Sequence, residues 1–108
     1  MKTVQIDDYI IHRGENAFDN WELVDTSQPN WIWLHLNSFS SPHIVIESAN
    51  PESYIISAAA SMCREHTKYK NLPNLKICYT PISNLEKGRE TGSVTFKSHR
   101  KIKFSKCN

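Results

Sequence analysis

Trp31–Ile46 reads WIWLHLNSFSSPHIVI, two apolar runs around a Ser-rich break, and its parity decides the fold. Alternation of apolar residues over a run this short marks a half-buried strand. Side chains of a strand point to opposite faces in turn. Ile32, Leu34 and Leu36 therefore share one face, and Trp31, Trp33 and His35 the other. On His43–Ile46 the division is Ile44 and Ile46 against His43 and Val45. An antiparallel pair joined by the loop Asn37–Pro42 makes the even-numbered aliphatics one continuous apolar face. It also gathers two tryptophans and two histidines on the opposite face.

That odd-numbered face has three readings. It lies beneath a second layer, which is the reading we favour. Alternatively it is an open platform on which bases stack, as aromatic sheet faces are in single-strand RNA binders. The third is a metal site at His35 and His43, for which further ligands are missing at any nearby spacing.

Outward from this pair, Thr3–Ile6 reads as a strand. Tyr9-Ile10-Ile11 is its continuation or its partner across an Asp7-Asp8 turn. Glu15–Val24 places Phe18, Trp21 and Leu23 or Val24 at helical spacing, and the helix ends before Pro29, which disfavours helical geometry in its predecessor. Trp21 is expected in the core. Asn50-Pro51-Glu52 is a helix start, with a capping Asn, a first-turn Pro and an acid at the positive end of the dipole. This second helix runs to near Asn71-Leu72-Pro73. Its Cys63-x-x-His66 pair has ligand-compatible spacing, but a packed thiol beside a half-exposed His is the plainer reading.

Leu75–Thr80 alternates as a strand, Pro81–Gly92 reads as a loop, and Ser93–Lys97 with Lys101–Phe104 reads as a closing hairpin turning at Ser98-His99-Arg100. Val94, Phe96, Ile102 and Phe104 would face inward, leaving Lys97, Lys101 and Lys103 outward. The whole is an α+β fold, a single domain over residues 1–108, with two helices packed on a mostly antiparallel sheet.

Composition supports one core: 39% of the 108 residues are hydrophobic and 10% aromatic, in a length usual for one domain. No apolar run reaches the ~18 residues of a membrane span, and the N-terminus meets Asp7 and Asp8 too early for a secretory signal. Three well-separated cysteines, Cys63, Cys78 and Cys107, fit reduced thiols and a cytoplasmic setting better than a disulfide framework.

The net charge of +2 hides a division. Residues 1–62 set Lys2 and Arg13 against eight acids, a balance of −6, while residues 63–108 set eleven Lys or Arg against three acids, a balance of +8. Such asymmetry points to a polyanion partner, or to two halves that each solvate their own surface. Five cations (Lys97, Arg100, Lys101, Lys103 and Lys106) fall within ten residues without an acid. On phosphate they would give affinity and salt dependence rather than sequence reading. Lysines also protect an exposed strand edge from aggregation. Lys87 and Arg89 extend the same set.

Enzyme signatures are scarce. P-loop, GxGxxG, GxSxG and HExxH motifs do not occur. Three glycines are too few for a Gly-rich phosphate cradle. Cys78 with a distant histidine is a conceivable nucleophile and base, but a strand cysteine is more simply structural. The residues favour a binding module over a catalyst, without cofactor or metal.

The residues quoted carry a family resemblance. WIWLHLNSFSSPHIVIE resembles the central signature of the NFACT-R domain family, W-x-H followed eight residues later by a second His and an aliphatic strand, with Trp33, His35 and His43 at the marked positions. Gly14-Glu15-Asn16 with Asn20 is similar to the family's G-R-N…N segment. Tyr79-Thr80 with Ser83-Asn84-Leu85 resembles its Y-T…N-x-x-K stretch, and Gly92–Lys103 its closing G-x-V-x-[FY] segment. The Ser40-Ser41 loop and YTPISNLEK look most like the eukaryotic stand-alone branch, here without that branch's coiled coil. Departures are Glu15 and Glu47 where the family has arginines, and Ser40-Ser41 for its Pro-Gly. If those arginines touch phosphate in relatives, the contact is lost here.

The resemblance implies RNA binding, with tRNA, rRNA and the ribosome quality-control machinery as its context. DNA is a second candidate polyanion. The expected contacts are Lys87, Arg89, Lys97, His99, Arg100, Lys101 and Lys103. Asn16, Asn20, Trp33, His35 and His43 are signature residues that either build the fold or bind. The competing reading is a protein-interaction module docking a basic partner or the ribosome through the acidic half.

Overall fold

The structure is a computed structural model and describes residues 1–107. In chain order its elements are β1 (Lys2–Ile6), β2 (Tyr9–Arg13), α1 (Ala17–Thr26), β3 (Ile32–Leu36), β4 (Ile44–Ile46), α2 (Ser53–Glu65), β5 (Lys76–Pro81), β6 (Leu85–Lys87), β7 (Val94–Phe96) and β8 (Lys103–Lys106). Two short 3₁₀ turns, Ile82–Asn84 and His99–Lys101, precede β6 and β8. The fold is α+β, as expected.

Six strands form one antiparallel sheet in the order β1-β2-β4-β3-β5-β8, and β6 and β7 form a separate ribbon. The quoted stretch supplies the two central strands, with Ile32 opposite Ile46, Trp33 opposite Val45 and Leu34 opposite Ile44. Parity does the rest. Ile32, Leu34, Leu36, Ile44 and Ile46 join Ile55, Ala59, Ala60 and Cys63 of α2 in the main core. Alanines at Ala59 and Ala60 let α2 lie close to the sheet. On the other face Trp33, Val45 and Cys78 pack with Leu23 of α1 and with Ile82 and Leu85. The second layer is therefore real, and Trp33 is 1% exposed. Burying a side chain of this size stabilises by at least ~2 kcal/mol.

Element boundaries differ from the expectation for local reasons. α1 begins at Ala17 because Asn16 caps it, its Oδ1 accepting the Asp19 N–H at 2.9 Å. The Asp7-Asp8 turn is correct, with Asp7 at φ 53. α2 has Glu52, rather than Asn50, at its cap position, and it stops at Glu65, short of the expected end. Beyond it Thr67 donates its hydroxyl to the Ser40 carbonyl at 2.6 Å and turns the chain toward the β3–β4 loop. Trp21 is half-buried rather than core; its indole N–H donates to the Ser93 carbonyl at 2.8 Å. Phe18 is 78% exposed.

The expected closing hairpin is not formed. β7 pairs with β6, inside the segment read as a loop, with Leu85 opposite Phe96. β8 instead pairs with the free edge of β5, with Cys78 opposite Phe104 and Tyr79 opposite Lys103. The edge of β5 needs a partner for its backbone groups, and β8 provides it. Gly92 permits the return into β7: its φ is +89, and a Cβ there would stand 2.8 Å from the Cα of Ala17.

Candidate nucleic-acid interface

The strand registers arrange the odd-numbered face in rows that cross the sheet. Residues directly opposite in an antiparallel pair share a face. The first row is Val45, Trp33, Thr80 and, in the position just before β8, Ile102. This row lies under α1 and the β6–β7 ribbon. The second row is His43, His35, Cys78 and Phe104: His43 and Cys78 are buried at 3% and 5% exposed, His35 is half-buried, and Phe104 alone is exposed, at 56%. The third row pairs Lys76 with Lys106, both exposed.

A cavity of about 560 Å³ opens where the second layer ends, lined by Asn20, Trp33, His35, His43, Cys78 and Phe96 among others. Among the described residues no Lys, Arg, Asp or Glu lines it. Its aromatic groups are mutually ordered. The ring of His35 lies parallel to Trp33 at 5.6 Å, while His43 meets both rings edge-on at 5.2 Å. Trp33 Nε1–H donates to His43 Nδ1 at 3.0 Å, so the proton of His43 sits on Nε2. His35 donates its Nδ1–H to the Leu36 carbonyl at 2.7 Å, leaving Nε2 as an acceptor. Burial holds both imidazoles below their ordinary pKa, and the neighbouring His35 helps to push His43 down to about 3. The site thus offers neutral nitrogens of opposite polarity, one donor and one acceptor. The Cys78 thiol beside them is pushed up to about 11 by burial, the reverse of an activated nucleophile.

The expected basic contacts fall into two groups. Lys97, His99, Arg100, Lys101 and Lys103 follow one another over the turn from β7 to β8, all exposed and without an acidic partner among the described residues. The turn is fixed from below. Buried Asn84 donates to the Ser98 carbonyl at 2.9 Å and accepts the Ser98 N–H at 2.9 Å, and Thr80 donates to the Lys101 carbonyl at 3.0 Å. Both holding residues belong to the Y-T…N segment noted in the sequence. His99 meets Phe96 edge-on at 6.0 Å, and Phe96 meets Trp33 at 5.7 Å, so aromatic contact runs from the basic turn to the cavity.

Lys87 and Arg89 stand apart from this turn, on and after β6. Lys87 is paired with Asp25 at 2.7 Å and lies over the Trp21 ring at 5.1 Å. Of the signature residues, Asn16 caps α1. Asn20 Oδ1 accepts the His43 N–H at 3.3 Å, fixing the start of β4 against α1. Trp33, His35 and His43 all line the cavity, with Trp33 and His43 buried and His35 half-buried. Glu15 pairs at the surface with the N-terminal amine of Met1, and Glu47 with His12. Lys76, Phe104 and Lys106 were not expected on one surface. Their common parity shows only when β8 is placed beside β5 rather than beside β7. Among the described residues no three His, Cys, Asp or Glu side chains come together as a metal site, and no helix is long and apolar enough to cross a membrane.

Comparison with known proteins gives these features a family. The chain is 29% identical over 106 residues to the coiled-coil domain-containing protein 25 homolog of Dictyostelium discoideum, covering 90% of this chain and 52% of that protein. It is 30% identical over 111 residues to protein JLP2 of Saccharomyces cerevisiae, covering 92% and 53%. A shorter match, 32% over 73 residues, is to the Rqc2 homolog RqcH of Bacillus subtilis, covering 66% of this chain and 13% of that protein. The chain thus spans about half the length of the first two relatives. Its fold matches the C-terminal part of the fibronectin/fibrinogen-binding protein from Streptococcus suis, with a TM-score of 0.85 at 22% identity, covering 97% of this chain and 43% of that one. The family model of the NFACT protein RNA binding domain matches residues 1–98, and the chain belongs to that family.

Proposed function

We propose that this domain is a non-catalytic RNA-binding module that engages phosphates through the turn from Lys97 to Lys103, with tRNA or ribosomal RNA as its target. The carrying observation is that turn: four Lys or Arg and one His, all exposed, with no acid among the described residues paired to them and with the backbone clamped by Asn84 and Thr80. Clamped backbone limits the entropy lost on binding. The family supports RNA as the polyanion, and the match to RqcH supports a ribosomal context. The acidic half is a weaker candidate for docking a basic partner, because Glu15, Asp19, Asp25 and Glu47 already take partners within the chain.

Titration of labelled tRNA across a salt series tests the proposal. Affinity should fall linearly on a log–log plot, and K101A/K103A should weaken binding and flatten the slope by about 0.9 per lost duplex contact. No binding of tRNA or ribosomal RNA fragments at low salt would overturn it.

A further inference from the structure

We infer that the second and third rows of the odd-numbered face form a platform for single-stranded RNA. In this arrangement one unpaired base stacks on Phe104 and the next turns its edge to His35 and His43 in the cavity, while Lys76 and Lys106 hold the adjoining phosphates. The inference rests on the RNA-binding reading above and adds the state of the RNA and the surface that reads it.

Three observations carry it. Phe104 is a large aromatic left 56% exposed on a sheet face, not at a frayed end: its strand is in register with β5 through four residue pairs. Exposed aromatics that serve no core are the side chains on which bases stack, whatever the base. The cations then stand where phosphates would need them. Lys106 follows Phe104 by two residues and Lys76 precedes Cys78 by two, which puts the cation row ~7 Å from the aromatic row. Among the described residues no carboxylate belongs to either row. Finally, the row continues from Phe104 across Cys78 to His35, ~10 Å away at the ordinary strand spacing. There the cavity beneath the second layer begins. Its lining is uncharged and its imidazoles are neutral, so it suits the edge of a heterocycle rather than a phosphate.

A base that meets the His35 ring edge-on could give a hydrogen to its acceptor Nε2. It could take one from the Nε2–H of His43. Adjacent donor and acceptor groups occur on the exposed edge of every unpaired base and are occupied in a duplex. The platform therefore selects unpaired RNA.

Fluorescence anisotropy on the whole chain tests this with two probes, a labelled oligoadenylate and a blunt RNA duplex of similar length. Phe104→Ala should weaken oligoadenylate binding about tenfold, change duplex binding less than twofold, and leave the thermal midpoint unchanged. Phe104→Tyr should restore it. Lys76→Ala with Lys106→Ala should reduce the salt slope for the single strand by about 1.4, at ~0.7 per contact. If native protein binds RNA with normal salt dependence but Phe104→Ala binds the single strand within twofold of native, the platform is wrong and the basic turn acts alone. If native protein binds no RNA, the RNA-binding reading itself falls.

Discussion

His43 shows how a signature residue can be built into the fold and still face a site. It is 3% exposed, and its Nδ1 accepts the indole proton of Trp33. Protonation would set two N–H donors against each other. The groups against His43 are Trp33 and His35 from β3 and Asn20 from α1, and no Asp or Glu among the described residues lines the cavity they share. The folded pKa of about 3 lies below the ordinary 6.5, so the unfolded chain takes up the proton first. Stability from this group is complete above about pH 6.5 and is lost as pH falls toward 3, with a slope up to ~1.4 kcal/mol per pH unit. His35, also lowered, acts in the same direction. Urea midpoints should therefore drop between pH 7.5 and pH 5. His43→Gln, whose amide oxygen can accept from Trp33 without titrating, should show a shallower fall. An equal fall in that variant would remove His43 as the cause.

Among the elements, the turn from β7 to β8 depends most on distant side chains. Asn84 makes three hydrogen bonds at once, to Thr80 and to both backbone groups of Ser98. Asn84→Ala leaves those groups without partners in a site where water is scarce. Leaving a buried polar group unpaired costs ~1–3 kcal/mol, so denaturant unfolding should show a loss of about 2 kcal/mol. RNA affinity should also drop, because the cations no longer share one geometry. A loss under about 0.5 kcal/mol would mean that the turn is held elsewhere. This element also shows where sequence reasoning stops. Parity locates β3, β4 and β5 because each alternates within itself, whereas Asn16, a signature residue that the sequence places inside the expected helix, caps it instead. Which strand β8 joins depends instead on the open edge of β5 and on Asn84, neither of which leaves a local pattern. The closing hairpin was the shortest connection, and it was wrong. With it went Phe104, expected inside and found outside.

At the scale of the molecule, the sheet is covered on one face by α2 and on the other by α1 with the β6–β7 ribbon, a cover that buries His43 and Cys78 of the second row and leaves Phe104 exposed. The charge division in the sequence maps onto this plan. Six exposed cations of the second half, Lys76, Lys97, Arg100, Lys101, Lys103 and Lys106, gather on β5, β8 and the turn before it, while several acids of the first half are paired near α1 and β2. The layers also set a gradient of local stability, since backbone amides open most rarely where apolar cover is complete on both sides. Leu34 and Ile44 sit at that centre with 0% exposure. β1 is exposed along four of its five residues and β8 along three of its four, and both are edge strands. Amide exchange should therefore be slowest in β3 and β4 and fastest in β1 and β8. Adding oligoadenylate separates the two edges: β8 and the turn before it should gain protection, while β1, on the far side of the sheet, should not. Protection confined to β1, or spread evenly over both edges, would place the RNA away from Phe104 and Lys106.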